Sequence, residues 1–291
     1  MKFVTPKNDV AFKKIFGSED KTEILIGFLN AVLDLTGDKA IQSITILNPY
    51  QTPRLESLKL TILDVRAVDK RGVTFIVEMQ IAHVAGAKKR FLYYTSKAYS
   101  SQISRGEDYP KLNQVIFIGV LDFVLFETDK PRFDRYVSRH QILNTETHQQ
   151  EFTDLEFNFI ELPKFKKKEG ELETLLDKWV YFIKHADDLE VIPSHAVGDS
   201  ALESAYHAAD QFGWNKKDLE AYDYRGIKIQ DERGALQLAE ERGERRGERR
   251  GEQRGEQRKA LETARNLLKM GLRLEQISEA TGLSMDELNQ L

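Results

Sequence analysis

The stretch LTILDVRAVDKRGVTFIVEMQIA, residues 60–82, places one acid inside each of two apolar runs that a short polar turn joins. Its β-branched and aromatic residues predict two strands, and Gly72 suits the turn of a hairpin. Asp64 and Glu78 lie at similar distances from that turn, so pairing of the strands brings the two carboxylates together on one face. Burying either acid without a partner is energetically costly. The hairpin therefore predicts that a positively charged partner lies beside the two acids.

Two interpretations of the acid pair are open. A divalent cation would relieve the repulsion, and ligands that are all oxygen select a hard ion such as Mg2+, which needs only one or two protein carboxylates. Alternatively, Asp64 pairs with Arg66 or a nearby lysine, and Glu78 pairs in the same way. The mutual repulsion of two acids on one face favours the cation over ion pairing.

Composition limits the class of protein. The chain has 291 residues, a net charge of -4 and no cysteine, which is enough length for one or two domains. Without cysteine it has no disulfides, thiol nucleophiles or thiolate zinc sites, and it fits a reducing compartment. The sequence has no signal-peptide core and no apolar run of membrane-spanning length. We therefore expect a soluble cytoplasmic protein with no membrane partner.

The order of the predicted elements is that of an α/β sandwich, in which covering layers bury the strands. A short helix begins at Asp9, and an amphipathic helix begins at Lys21 and ends at Gly37. Its predicted core residues are Ile24, Leu25, Phe28, Leu29, Val32 and Leu33. The apolar run at 114–127 predicts a strand buried on both faces. The other predictions are strands at 41–50, 137–148 and 155–165 and helices at 85–109, 171–186 and 201–213.

A charged repeat, ERGERRGERRGEQRGEQR, occupies residues 241–258 and contains no apolar residue. As a helix it would gain a few tenths of a kcal/mol from each Glu and Arg pair, but each glycine costs about 1 kcal/mol relative to alanine. Both a helix within an oligomer and a mobile linker therefore remain open.

The last segment, residues 260–291, predicts two short helices joined by a turn at TGLS, where Ser284 can cap the final helix. This is a helix-turn-helix pattern. Its second helix, SMDELNQL, carries two acids and no base, which disfavours insertion into a groove lined by phosphates. We therefore favour a role in oligomerisation or packing over DNA recognition for this tail.

Several stretches in order along the chain resemble the PD-(D/E)XK nuclease family transposases, also called recombination-promoting nucleases. They are TPKNDVAFKKIFG, LDVRAVDKRGVTFIVEMQ, KRFLYYTSKAYSSQISRGEDYPKLNQVIFIGVLDF, LEFNFIELPKF and DKWVYFIKHAD. The resemblance implies a restriction-endonuclease-like α/β fold, a mixed sheet flanked by helices, followed by a charged helical stalk and a tail. We divide the chain into a nuclease-like domain with a helical extension (1–230), a stalk or linker (231–259) and a helix-turn-helix-like tail (260–291).

The same resemblance assigns Asp64, Glu78 and Gln80 to the catalytic site, with Asp64 and Glu78 as ligands of Mg2+, for which Mn2+ is expected to substitute. Gln80 departs from the family's general pattern, which has lysine there. Glutamine can orient a water molecule but brings no charge, so another group must neutralise the substrate phosphate.

Further candidates are implied around this core. Asp9 resembles an acid that such nucleases often add to the metal site, and its alternative role is to cap the first helix. Lys13 could approach the site one turn later or could simply be solvated. Arg90 and Gln102 resemble positions near the substrate phosphate, and Arg90 could supply the charge that Gln80 lacks. For Tyr94 we favour a core role.

The resemblance implies an Mg2+-dependent DNA endonuclease that acts in recombination or mobile-element transfer. Dimerisation through the stalk would provide two sites for two strands. One alternative is a DNA-binding protein of the same fold that has lost cleavage, which Gln80 and the negative net charge motivate. Another is an oligomeric scaffold in which the stalk and tail are the functional part.

Overall fold

The computed structural model describes residues 1–51, 61–104, 106–127 and 135–291. Leu60, the first residue of the hairpin stretch, lies outside these ranges. The chain forms two compact units, Met1–Ile229 and Gln230–Leu291. Within the described ranges no helix has both the length and the apolar character needed to cross a membrane.

The first unit is built on a mixed β-sheet. Its described strands are β1 (Ile44–Ile46), β2 (Tyr50–Gln51), β3 (Thr61–Ile62), β4 (Val65–Asp69), β5 (Thr74–Gln80), β6 (Val115–Leu121), β7 (Val137–Ile142) and β8 (Phe152–Glu161). Six strands form one sheet in the order β1-β4-β5-β6-β8-β7, and β2 pairs separately with β3. Strands β5, β6 and β8 are parallel to one another, whereas β4 is antiparallel to β5 and β7 is antiparallel to β8. The predicted mixed sheet is confirmed.

Helices cover both faces of this sheet. The described α-helices are α1 (Asp9–Phe16), α2 (Thr22–Leu33), α3 (Ala87–Ser100), α4 (Leu175–His185), α5 (Ser200–Ala209), α6 (Lys216–Lys269), α7 (Leu274–Thr281) and α8 (Met285–Leu288). One core joins α1, α2, α4 and α5 to one face of β4, β5 and β6. A smaller core joins α3 to the opposite face. The predicted α/β sandwich is therefore present, because each apolar face of the sheet is covered.

The central hairpin forms as the sequence predicts. Val65 pairs with Val77 and Val68 pairs with Thr74 across β4 and β5. Gly72 has a φ of 83°, a backbone conformation that glycine adopts without steric strain. A Cβ atom at Gly72 would also lie 2.8 Å from the Asn113 side chain. The turn thus requires glycine both for its φ and for close packing.

Helix α2 buries all six of its predicted core residues, but it stops earlier than expected. The predicted end was Gly37, whereas the helix ends at Leu33 and Asp34 takes a left-handed conformation with a φ of 55°. Aspartate is one of the few non-glycine residues that adopt this conformation readily. The prediction of Gly37 as the stop was therefore wrong by one helical turn.

Two other predicted elements are shorter in the structure. Strand β6 ends at Leu121, although the apolar run continues to residue 127. The chain leaves the sheet there because Glu161 Oε1 accepts hydrogen bonds from the backbone N–H groups of Leu125, at 2.6 Å, and Phe126, at 3.0 Å. The helix predicted at 85–109 is also shorter, since α3 spans Ala87–Ser100.

The second unit contains the C-terminal part of α6 with α7 and α8. A small core of Ala264, Ile277, Leu283 and Leu288 holds these helices together. Ser284 caps α8 as predicted, accepting a hydrogen bond from the backbone N–H of Glu287. The charged repeat 241–258 lies within α6, which answers the choice between helix and linker in favour of a helix. Its side chains are all exposed.

Candidate active site

The acids of the hairpin are neighbours, although only Glu78 lies inside a strand. Glu78 is on β5 and is 2% exposed, whereas Asp64 is in a bend one residue before β4. The backbone N–H of Asp64 donates to Glu78 Oε1 at 3.0 Å, and the N–H of Met79 donates to Asp64 Oδ2 at 2.9 Å. These crossed bonds replace backbone pairing at the end of the hairpin. The predicted position of Asp64 within a strand was therefore wrong by one residue, while its proximity to Glu78 is confirmed.

The electrostatics of this pair are unfavourable to ionisation of both acids. Burial raises the pKa of Glu78 to about 8, and the negative charge of Asp64 contributes to that increase. Burial also raises the pKa of Asp64, and the positive charge of Lys13 and the N–H of Met79 oppose that increase. Two carboxylates that share one buried place disfavour the charged form of each other. The positive charges near the pair therefore do not offset the cost of burying both acids.

Lys13 of α1 is the cation in direct contact with this pair. Its Nζ lies 3.2 Å from Asp64 Oδ1, and its side chain is 41% exposed. The alternative in which Asp64 pairs with a lysine is thus realised, whereas Arg66 Nε has no hydrogen-bond partner in the described parts of the chain. For Glu78, no lysine or arginine of the described ranges lies within 4.0 Å of the carboxylate. Only half of the acid pair is neutralised.

Gln80 links the acids to α3. Its Nε2 donates to Glu78 Oε2 at 3.2 Å, and its Oε1 accepts a hydrogen bond from Nη2 of Arg90. The Nε of Arg90 is buried and has no hydrogen-bond partner among the residues that the structure describes. The guanidinium also lies 6.0 Å from the ring centre of Tyr94, a residue for which we expected only a core role. Arg90 therefore brings positive charge and an unused donor next to Gln80.

Asp9 is near this group but is held by another residue. The N-cap of α1 is Asn8, whose side chain accepts from the N–H of Val10, so the alternative of Asp9 as the cap was wrong. Asp9 Oδ1 accepts a hydrogen bond from Arg225 Nε at 2.8 Å. Its negative charge contributes to the raised pKa of Asp64. Arg225 thus fixes the position of the Asp9 side chain, and Asp9 affects the acid pair through its negative charge.

The structure does not bring Gln102 to this cluster. Its side-chain amide donates to the backbone oxygen of Asn113 and accepts from the N–H of Asn113, both at 2.8 Å. Asn113 lies two residues before Val115, the first residue of β6. Val115 pairs with Thr74 at the start of β5. Six residues of strand, or about 20 Å, separate that end from Gln80. Gln102 ties the end of α3 to the sheet, and we leave it out of the proposed site.

The donor set fits a hard divalent cation. In the parts of the chain that the structure describes, no three His, Cys, Asp or Glu side chains form a group that could hold a metal ion. Mg2+ does not need three, because it commonly binds through one or two carboxylates and keeps several waters. Asp64 and Glu78 offer only oxygen atoms, and their mutual repulsion favours a cation between them. Such an ion would replace the Lys13 ammonium beside Asp64.

Sequence reasoning missed Arg225, the residue that holds Asp9. The two residues are 216 positions apart, so no local pattern connects them. Lys13, by contrast, lies one helical turn after Asp9, and that spacing was the signal that made it a candidate.

Two family models match this chain, each over a separate range of residues. Residues 6–239 match the family model described as PD-(D/E)XK nuclease family transposase. Residues 257–291 match the model described as Rpn/YhgA-like nuclease family, C-terminal HTH domain. Searches of curated proteins and of solved structures gave no match. The second family match describes the tail as a helix-turn-helix domain and gives no support to the oligomerisation role that we favoured for it.

Proposed function

The chain belongs to the PD-(D/E)XK nuclease family transposases, and on that premise we propose that it is a DNA endonuclease that depends on a divalent cation. The observation that carries this proposal is the acid pair of the buried Glu78 and the partly buried Asp64, which lies beside Gln80 and Arg90 and is only partly neutralised. The proposed role of the cleavage is recombination or mobile-element transfer.

Asp64 and Glu78 would hold the cation, with Mg2+ as the expected ion and Mn2+ as a substitute. A divalent cation at this position would supply positive charge to the phosphate and would make an attacking water more acidic. Lys13 neutralises Asp64 until the ion arrives and would then be released toward solvent. In this proposal the carboxylates of Asp64 and Glu78 are the protein's ligands to the cation.

Gln80 and Arg90 would together do what lysine does in the family's general pattern. Gln80 can orient the attacking water, because an amide both donates and accepts hydrogen bonds. Arg90 supplies the positive charge beside Gln80, to which its Nη2 donates a hydrogen bond. A guanidinium suits this task because its planar donors match the oxygens of a phosphate. The substitution of lysine by Gln80 is therefore compatible with cleavage.

The C-terminal part of the chain enters the proposal as a second source of DNA binding. The match to an HTH domain at residues 257–291 supports this role. We further propose dimerisation through the exposed repeat 241–258, a cytoplasmic location and the three-part division at residues 230 and 259. Each of these rests on the sequence pattern.

Cleavage of supercoiled plasmid tests the proposal. We expect nicking and linearisation with Mg2+ or Mn2+ and none with a chelator. Asp64→Asn should reduce the rate by roughly 10^3-fold, the size of effect seen when one group that stabilises a transition state is removed. Asp38→Asn, the same substitution at an exposed position, is the matched control and should cleave as the wild type does.

Two outcomes would contradict the proposal. One is a folded wild-type protein that cleaves no DNA with any divalent cation, which would favour the DNA-binding or scaffold alternatives. The other is an Asp64→Asn variant that cleaves as fast as the control.

A further inference from the structure

Three lysines from separate parts of the chain meet close to the candidate site. Lys7 precedes α1, Lys166 follows β8, and Lys184 lies in the last turn of α4. Lys7 Nζ donates to the backbone oxygen of Lys184 at 3.3 Å, and Lys184 Nζ donates to the backbone oxygen of Phe165 at 2.5 Å. We call Lys7, Lys166 and Lys184 the lysine cluster.

The charges of the lysine cluster are not balanced locally. Burial lowers the pKa of Lys184, and the positive charges of Lys166 and Lys7 contribute to that decrease. Over the described ranges, none of the three ammonium groups forms an ion pair with a carboxylate. Asp122 is the acid whose charge acts on Lys184 in the opposite direction. Like charges held together in this way favour an anionic partner.

Two open cavities extend the lysine cluster along the surface. A cavity of about 280 Å³ is lined by Lys166 and Lys184, and one of about 710 Å³ is lined by Lys166 and Arg135. Other cations of the larger cavity are already paired with acids, for example Lys164 with Glu161 at 3.0 Å. Arg135 is exposed and forms no ion pair with a described carboxylate. The unbalanced charge therefore runs from Lys7 to Arg135.

The sheet register places this charge at the same edge as the acid pair. Gln80 pairs with Leu121, and Leu121 pairs with Glu161, across three adjacent parallel strands. Neighbouring strands are about 4.8 Å apart, so the end of β8 lies about 10 Å from Gln80. The N–H of Asp122 donates to the backbone oxygen of Gln80 at 2.8 Å, and Asp122 is the acid that acts on Lys184. A separation of about 10 Å corresponds to roughly three base pairs of DNA.

We propose that the lysine cluster and Arg135 bind the phosphodiester backbone of the DNA substrate a few nucleotides from the phosphate that is cleaved. The inference rests on the proposed function and adds the path of the substrate over the protein. Contacts to phosphates carry no sequence information, so this surface positions DNA without selecting bases. It also explains how a chain with a net charge of -4 can hold a polyanion, because the positive charge is local.

The test compares two triple variants of the full chain in a DNA-binding titration. Lys7→Gln, Lys166→Gln and Lys184→Gln are combined in one variant. The control combines Lys21→Gln, Lys39→Gln and Lys70→Gln, which remove the same charge from exposed positions. Binding to a duplex is measured in chelator, so that no cleavage occurs, over a series of salt concentrations.

We expect the lysine-cluster variant to bind roughly tenfold or more weakly at low salt and the control to bind as the wild type does. The slope of log K against log salt should become shallower by about 0.9 for each lost phosphate contact, or nearly 3 in all. Because Lys184 is partly buried and could be needed for folding, a second variant combines Arg135→Gln and Lys166→Gln, both at exposed positions. Its slope should become shallower by about 2.

An unchanged slope in the double variant would overturn the inference. So would a double variant that loses binding of inorganic pyrophosphate but keeps its affinity for DNA, because the surface would then serve a small phosphorylated ligand. The inference and the proposed function fail separately. A wild type that never cleaves but shows the expected change in slope contradicts only the proposed function, whereas metal-dependent cleavage with unchanged slopes contradicts only the inference.

Discussion

Two of the buried carboxylates of the first unit, Asp177 and Glu78, are surrounded in opposite ways. Asp177, in the first turn of α4, is 1% exposed. It accepts hydrogen bonds from the Tyr136 hydroxyl at 2.7 Å and from Lys167 Nζ at 2.9 Å. Burial acts to raise the pKa of Asp177, but hydrogen bonds from Tyr136, Thr174 and Lys167 outweigh it and hold the pKa at about 2. The Asp177 carboxylate therefore has a hydrogen-bond donor at each of its oxygens.

The acid pair of the candidate site has the opposite balance. Burial raises the pKa of Glu78 to about 8, and the nearby charge of Asp64 adds to the increase. The comparison teaches that burial of an acid does not by itself indicate function. An acid surrounded by donors stabilises the fold, whereas two acids that repel each other favour a cation that the protein does not provide.

The largest stability effect is expected at Asp177. Asp177→Ala would leave the Tyr136 hydroxyl without its partner and Lys167 with only the exposed Glu173, and we expect it to lower the free energy of unfolding by about 3 kcal/mol. The melting temperature should fall by about 6 to 12 °C. The protein that remains folded should keep its cleavage rate, because Asp177 lies outside the site.

The control for this variant is Glu173→Ala, which removes the other acidic partner of Lys167. Glu173 is 82% exposed, so its loss should change the free energy of unfolding by less than about 0.5 kcal/mol. Equal losses of stability in the two variants, measured by chemical denaturation, would remove the distinction between the two regions.

An effect of opposite sign is expected at Glu78. Its pKa is about 8 in the folded protein, above its usual 4.5, so between these values the folded state binds a proton that the unfolded state lacks. The contribution of Glu78 to the free energy of unfolding of the wild type therefore falls as the pH rises from about 4.5 to 8, because the folded state must keep or lose the Glu78 proton at a cost. Glu78→Gln removes the titrating group and should make the protein more stable than the wild type at pH 8.

Chemical denaturation of the wild type and of Glu78→Gln, in chelator and at a series of pH values, measures this difference. The gain in stability should shrink toward pH 4.5. A variant that is less stable than the wild type at pH 8 would show that Glu78 is a structural acid like Asp177.

Local patterns in the sequence were sufficient for the elements that bring the acids together. The apolar spacing from Ile24 to Leu33 predicts the buried face of α2, and Gly72 predicts the turn that aligns Asp64 with Glu78. These predictions succeeded because periodicity and turn chemistry act over a few residues. The role of each site residue remains a prediction.

Features that depend on distant contacts could not be predicted. The end of β6 is set by Glu161, which lies 36 residues beyond Leu125. The position of Gln102 is set by its bonds to Asn113, and no spacing distinguishes that structural role from contact with a substrate. The lysine cluster joins Lys7 to Lys184, 177 positions apart. Only the folded chain brings such groups together.

The central claim is that the acid pair is a cation site, and thermal unfolding with and without Mg2+ tests it most directly. At about ten times the dissociation constant, Mg2+ should stabilise the wild type by roughly 1.4 kcal/mol and raise its melting temperature by about 3 to 5 °C. The account predicts this shift for the wild type and for Asp38→Asn, and none for Asp64→Asn or Glu78→Gln. A shift of the same size in Glu78→Gln, or no shift in the wild type at any Mg2+ concentration, would contradict it.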